Sequence, residues 1–183
     1  MKIINGWLDQ AIQCKSPNFN QRPQNDISLL VIHNISLPPG EFGGGNIQSF
    51  FQNQLNPTLH PYFQTISDLQ VSSHLLIDRQ GVMTQFVSLH DRAWHAGQSS
   101  FQGVENCNDY SIGIELEGTD DLAYSEDQYQ SLAKVTRQLL ANYPKLTADR
   151  ITGHDQIAPG RKTDPGSAFD WVYFRSLIKE SDS

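Results

Sequence analysis

The chain is poor in several features that would each have pointed to a class of protein. Two cysteines in 183 residues, Cys14 and Cys107, are too few for a disulfide framework. Neither belongs to a CxxC pair, so both read as ordinary thiols. Basic residues are scarce: 13 Lys and Arg stand against 20 Asp and Glu, a formal net charge of -7. No basic stripe offers the footprint that nucleic acid requires, and no nucleic-acid partner is expected. No apolar run reaches the roughly 20 residues of a membrane span, so no membrane partner is expected either. Asn5, Gly6, Asp9 and Gln10 interrupt the N-terminal stretch, which argues against an export signal and leaves the cytoplasm as the expected compartment. HExxH, GxSxG and Walker-loop motifs are missing, as are internal repeats and low-complexity linkers.

What remains is an ordinary globular composition, 38% hydrophobic, of a length that suits one domain over residues 1–183. The segment from Cys14 to Ile27, rich in Asn, Gln, Pro and Ser, reads as a surface loop. Leu29–Ile32 is a continuous apolar run ending at His33-Asn34, as in a strand covered on both faces. The Pro- and Gly-rich stretch Leu37–Gly45 cannot be regular and reads as a mobile groove rim. A short helix is expected over Ile47–Gln54, and strands over Val71–Ile77 and Val82–Val87 around an Asp78–Gly81 turn. Ser111–Glu117 alternates, with Ile112, Ile114 and Leu116 on one face and Gly113, Glu115 and Glu117 on the other. Ser125 caps a helix that repeats apolar residues from Tyr129 to Leu140 and stops before Pro144. Ile151–Gly153 reads as a strand, followed by a long loop to Gly166 and a last helix over Phe169–Ile178. Strands interleaved with helices predict an α/β fold: a single domain with a mixed central β-sheet and helices on its faces.

Three polar residues sit where chemistry tends to sit. His33 ends a buried strand, His154 follows an apolar strand, and Asp164 lies before Pro165-Gly166, which biases its backbone to an extended form. Two imidazoles and a carboxylate are an ordinary ligand set for a catalytic zinc ion, Zn2+. Lys162, two residues before Asp164, projects to the same side if the stretch is extended. Spacing alone does not single these out among six histidines, each of which could simply satisfy a hydrogen bond. His74 and His95 stay open as further ligands or as structural hydrogen-bonders, while His60 and His90 read as surface residues.

Longer motifs narrow the choice. His33-Asn34 after LLVI, SLPPGEFGG, RAWHAG at Arg92–Gly97, CNDYSIGIELEGTD at Cys107–Asp120 and GHDQIAPGRKTDPG at Gly153–Gly166 run from about Gly6 to Trp171. Together they closely resemble the second family of N-acetylmuramoyl-L-alanine amidases, related in fold to phage lysozyme-type amidases and animal peptidoglycan recognition proteins. The resemblance implies zinc held by His33, His154 and Asp164. It implies Glu115 as catalytic acid-base, Lys162 facing the scissile carbonyl, and Asn34 and Trp94 lining the substrate groove. It also implies an enzyme that cuts anhydro-muropeptides between anhydro-N-acetylmuramic acid and L-alanine, in cell-wall recycling with a link to β-lactamase regulation; a monomer is expected. Gln70 and Asn106 stand where cationic residues are expected to grip a peptide carboxylate. A muropeptide-binding domain without catalysis is the rival of another class, and such domains commonly lack a metal ligand. An amidase of intact envelope peptidoglycan is the nearer rival.

Overall fold

The computed structural model describes residues 1–179. Its centre is a six-stranded sheet: β1 (Ile12–Gln13), β2 (Leu29–Ile35), β3 (Leu75–Ile77), β4 (Met83–Gln85), β5 (Ser111–Glu117) and β6 (Ile151–Gly153), in the spatial order β6-β2-β5-β3-β4-β1. Strands β6, β2, β5 and β3 are parallel, β3 and β4 form the antiparallel hairpin, and β1 closes the edge parallel to β4. The expected mixed α/β sheet is what forms. Its central strands are apolar because neither face meets water: Leu29, Leu30, Val31 and Ile32 are all fully buried.

The two faces do different work. Leu30, Ile32, Ile112, Ile114 and Leu116 pack with Leu132, Val135 and Leu139 of α3 (Glu126–Asn142) and Phe174 of α5 (Trp171–Lys179). The α3 start is set by a capping box, with Ser125 accepting from Gln128 N–H and the Gln128 side chain returning to Ser125 N–H. The opposite face carries α1 (Asn46–Phe51), α2 (Pro61–Thr65) and α4 (His154–Ile157), with smaller apolar clusters around Phe51 and Val31. On this face Ser111, Gly113, Glu115 and Glu117 alternate along β5, as the sequence pattern requires. No helix among the described residues is long and apolar enough to cross a membrane.

Three expectations need correction. The Cys14–Ile27 segment is not merely a surface loop: Phe19–Gln21 pairs antiparallel with Asp91–Ala93, and Ser16, Asn18 and Arg22 are buried. Asn18 Nδ2 donates to Val71 O and Asn53 Oδ1. Arg22 donates to the carbonyls of Leu89, Asn108, Asp109 and Ser111. Four carbonyls solvate this cation, with no ion pair to a carboxylate among the described residues, and burial lowers its pKa to about 10. The stretch after Gly153 is not all loop, because α4 begins at His154 itself. The expected strand from Val71 begins only at Leu75, since Ser72 N–H pairs with Trp94 O instead of the central ladder.

Candidate metal centre and its groove

Register brings the polar residues together. β2 and β5 pair in parallel with His33 opposite Glu115, and β6 pairs with β2 so that Gly153 lies opposite Ile32. His154 therefore emerges beside His33 at the same end of the sheet. The chain then turns at Ala158–Lys162, and Asp155 N–H donates to Asp164 O, bringing Asp164 back beside His154. Gly166 makes this return possible: at φ +80° its missing side chain leaves room for Asp120, whose Cα would lie 2.1 Å from a Cβ there.

Three donor atoms converge. His33 Nδ1 lies 3.0 Å from His154 Nδ1 and 2.9 Å from Asp164 Oδ2, and His154 Nδ1 lies 3.1 Å from the same oxygen. His154 Nε2 faces the Ala96 carbonyl at 3.0 Å. A carbonyl only accepts, so in the neutral ring the proton sits on Nε2 and Nδ1 is a lone pair. Two lone-pair nitrogens and a carboxylate at these spacings suit one small cation. Tetrahedral zinc with bonds of about 2.0–2.1 Å keeps its donors roughly 3.3 Å apart. The electrostatics agree. Burial pulls His33 down to about 4 despite the adjacent carboxylate, favouring the neutral ring that can act as a ligand. Burial works to raise Asp164, but its contacts with His154 and His33 hold it below the usual carboxylate range.

The donors lie in a groove of about 360 Å³. Leu37, Phe50, Phe51, Ile66 and Val71 give it an apolar wall, and Glu115, His154, Lys162 and Asp164 add polar side chains to its lining. Half-buried Trp94 lines it, with its ring N–H donating to Asn20 Oδ1 at 2.7 Å. The Pro- and Gly-rich loop supplies the rim through Leu37 and Pro39. Asn34 also borders the groove, but its amide donates to Asp120 Oδ1 and Pro165 O, holding the turn behind Asp164.

The two glutamates separate clearly. Glu117 accepts from Gly43 N–H and, at 3.4 Å, from Arg79 N–H, so it ties the loop to the sheet. Buried Glu115 has an Oε2 with no hydrogen-bond partner among the described residues. Burial, and then the charge of Asp164, push its carboxyl well above the ordinary range, while Lys162 opposes them. The geometry thus puts a buried carboxyl of raised proton affinity beside the donor set.

His74 and His95 lie outside the donor set. His74 Nδ1 accepts from Gly113 N–H, and its Nε2 faces Asp91 O, a structural role. His95 Nδ1 lies 2.9 Å from His33 Nε2, a contact that the strand and loop pattern did not reveal. His60 caps α2 through Nδ1, and His90 is exposed. Both cysteines are free. Gln70 is exposed beside the groove residues Leu69 and Val71, whereas Asn106 lines a separate hollow with Arg161.

Comparison with known proteins identifies the family. The N-acetylmuramoyl-L-alanine amidase family pattern matches residues 23–167. The chain is 58% identical to the 1,6-anhydro-N-acetylmuramyl-L-alanine amidase AmpD of Salmonella typhimurium (strain SL1344), over 94% of this chain and 92% of that one. A crystal structure of a selenomethionine AmpD derivative superposes with a TM-score of 0.95 at 55% identity, covering 97% of this chain and 99% of that one. The E. coli amidase AmiD, in complex with anhydro-N-acetylmuramic acid-L-Ala-D-γ-Glu-L-Lys, superposes with a TM-score of 0.60 at 29% identity, covering 82% of this chain and 57% of that one. The chain belongs to the N-acetylmuramoyl-L-alanine amidase family.

Proposed function

We propose that the chain is a zinc-dependent amidase that hydrolyses the bond between anhydro-N-acetylmuramic acid and L-alanine in muropeptides. The observation that carries this reading is the convergence of His33 Nδ1, His154 Nδ1 and Asp164 Oδ2 beside buried Glu115, whose Oε2 has no hydrogen-bond partner among the described residues. The names of the Salmonella relative and of the AmiD complex support the substrate. Residues 1–183 act as one catalytic domain, as a monomer in the cytoplasm.

Zinc held by the three donors would supply Lewis-acid chemistry, acidifying water and polarising the lactyl carbonyl. Glu115 takes a proton from the attacking water and delivers it to the departing alanine nitrogen. Its raised affinity for protons suits the second half of that exchange. Lys162, at the exposed edge of the groove, places positive charge beside the oxygen that becomes negative. Trp94 and the apolar wall face the uncharged parts of the substrate, and Asn34 keeps the Asp164–Pro165 turn in place.

The test is turnover of an anhydro-muramyl peptide by purified protein, with elemental analysis. One zinc per chain is expected, with activity lost on chelation and restored by zinc. His33→Ala, His154→Ala and Asp164→Ala should each lose the metal. Full activity after exhaustive chelation, with no metal detected, would overturn the reading. Binding of the substrate without turnover would favour the non-catalytic rival.

A further inference from the structure

We propose that His95 and Ser111 form a positioning relay that fixes the tautomer of His33 and thereby sets how firmly the centre holds its metal; this rests on the zinc reading above. For His33 to present a lone pair from Nδ1, its proton must sit on Nε2. That atom is buried, so the proton needs an acceptor. His95 Nδ1, at 2.9 Å, is that acceptor. It can accept only if His95 carries its own proton on Nε2, which lies 3.0 Å from Ser111 Oγ. The relay therefore runs from His33 Nε2–H to His95 Nδ1, and from His95 Nε2–H to Ser111 Oγ.

The hydroxyl can also donate. With Ser111 donating to His95 Nε2, His95 would carry its proton on Nδ1 and donate to His33 Nε2. The His33 proton would then sit on Nδ1, facing Asp164 inside the donor set. Each ring stays neutral in both arrangements; only the proton positions differ. His154 has no such freedom, because the Ala96 carbonyl cannot donate. One of the two imidazoles is thus fixed by the backbone, and the other by a side chain two contacts away.

The surroundings hold the relay in place. The backbone N–H groups of His95 and Ala96 both donate to Asn108 Oδ1, at 3.1 and 2.8 Å. Gly113 supplies the space, since a Cβ there would approach His95 Cγ to 2.4 Å. The alternation that points Glu115 at the donors also points Gly113 and Ser111 at His95.

Zinc affinity, measured on full-length protein by competition with a chromogenic chelator, tests the relay. Outer partners of metal-bound histidines typically contribute about 10–100-fold in affinity. His95→Leu and Ser111→Ala are expected to weaken zinc binding by amounts in that range, with fold confirmed by circular dichroism. His95→Asn, which restores an acceptor near the Nδ1 position, is expected to recover part of the loss. In ¹⁵N spectra of the zinc-loaded wild type, both His33 and His95 should carry their protons on Nε2. Folded His95→Leu binding zinc within about threefold of wild type would overturn the relay. Should His95→Leu fail to fold, Ser111→Ala decides by the same criterion. A His95 protonated on Nδ1 in the zinc form would overturn it too. A wild-type chain that takes up no zinc overturns the metal reading itself, and the relay with it.

Discussion

Glu115 stands opposite His33 in the parallel pairing of β5 with β2, so a buried carboxyl and an imidazole of the candidate donor set project from adjacent strands onto one face. Two residues along, Glu117 shares that face yet is occupied by Gly43 N–H. Glu115→Gln should keep the fold and the zinc while kcat falls by roughly 10²–10⁴-fold, because an amide cannot carry the proton. Glu117→Gln can still accept from Gly43 and should leave kcat within about threefold, well short of a general acid-base effect. Steady-state kinetics on the two variants decides; the opposite ranking would place the proton carrier at Glu117.

Lys162 lies at the exposed edge of the groove, where its charge acts on both His33 and Glu115. Lys162→Met should retain stoichiometric zinc and lose on the order of 10²–10³ in kcat with little change in KM, since the charge acts on the oxygen as it becomes negative. A change confined to KM would assign Lys162 to ground-state binding.

His74 makes stability depend on pH. Burial, and then the adjacent Arg22 charge, lower its pKa to about 3 in the folded protein, against 6.5 for the free side chain. Between those values the unfolded chain binds a proton that the folded chain refuses. The contribution of the neutral ring is therefore fully present above pH 6.5 and is lost as pH falls toward 3. One such group gives a slope of roughly 1.4 kcal/mol per pH unit within that window. His74→Asn keeps an acceptor for Gly113 N–H but loses the donor to Asp91 O. It should be about 1–3 kcal/mol less stable at pH 7, with the gap narrowing as the solution is acidified. Urea unfolding of both proteins between pH 4 and 7 measures this; a constant gap would remove His74 as the source.

Peptide length should matter little to turnover. Gln70 and Asn106 are neutral: Gln70 is exposed between the groove residues Leu69 and Val71, and Asn106 lines a different hollow. The two arginines nearest in sequence are engaged elsewhere: Arg92 with Asp109, and Arg79 with Gln128 and Ala123. An acidic third residue is expected to raise kcat/KM by less than about tenfold, or 1.4 kcal/mol. A larger gain that disappears at high salt would show a cation gripping the tail, and Arg161, which lines the Asn106 hollow while donating to Ala96 O and Gln98 O, would be the first to mutate.

The chemistry was more legible in the sequence than its support. Alternation along Ser111–Glu117 and the apolar run before His33 expose the faces of the two central strands, because a period of two leaves a plain trace. The start of α3 could be read from Ser125 because its capping partners are local. The choice between Glu115 and Glu117 could not be made that way. It turns on Gly43, 74 residues away, arriving to occupy one of them. His95 gave no sign of its contact with His33, since a histidine's partner across 62 residues leaves no periodic mark. α4 has four residues, too few to show a helical repeat. The Cys14–Ile27 segment misled because its polar composition ordinarily means water, whereas here buried backbone carbonyls take the place of water.

Arg22 gives that segment a property beyond its contacts. Its guanidinium joins the N-terminal region to carbonyls at Leu89, Asn108, Asp109 and Ser111, the last at the root of the strand that carries Glu115. Were the segment to peel away alone, it would strand four acceptors in a space closed to solvent. Its amides should therefore exchange with deuterium at the pace of whole-molecule opening rather than by fraying from the end. The segment around Arg22 is then expected to open together with the strand that carries Glu115, and a cut that frees it is expected to loosen the donor set as well.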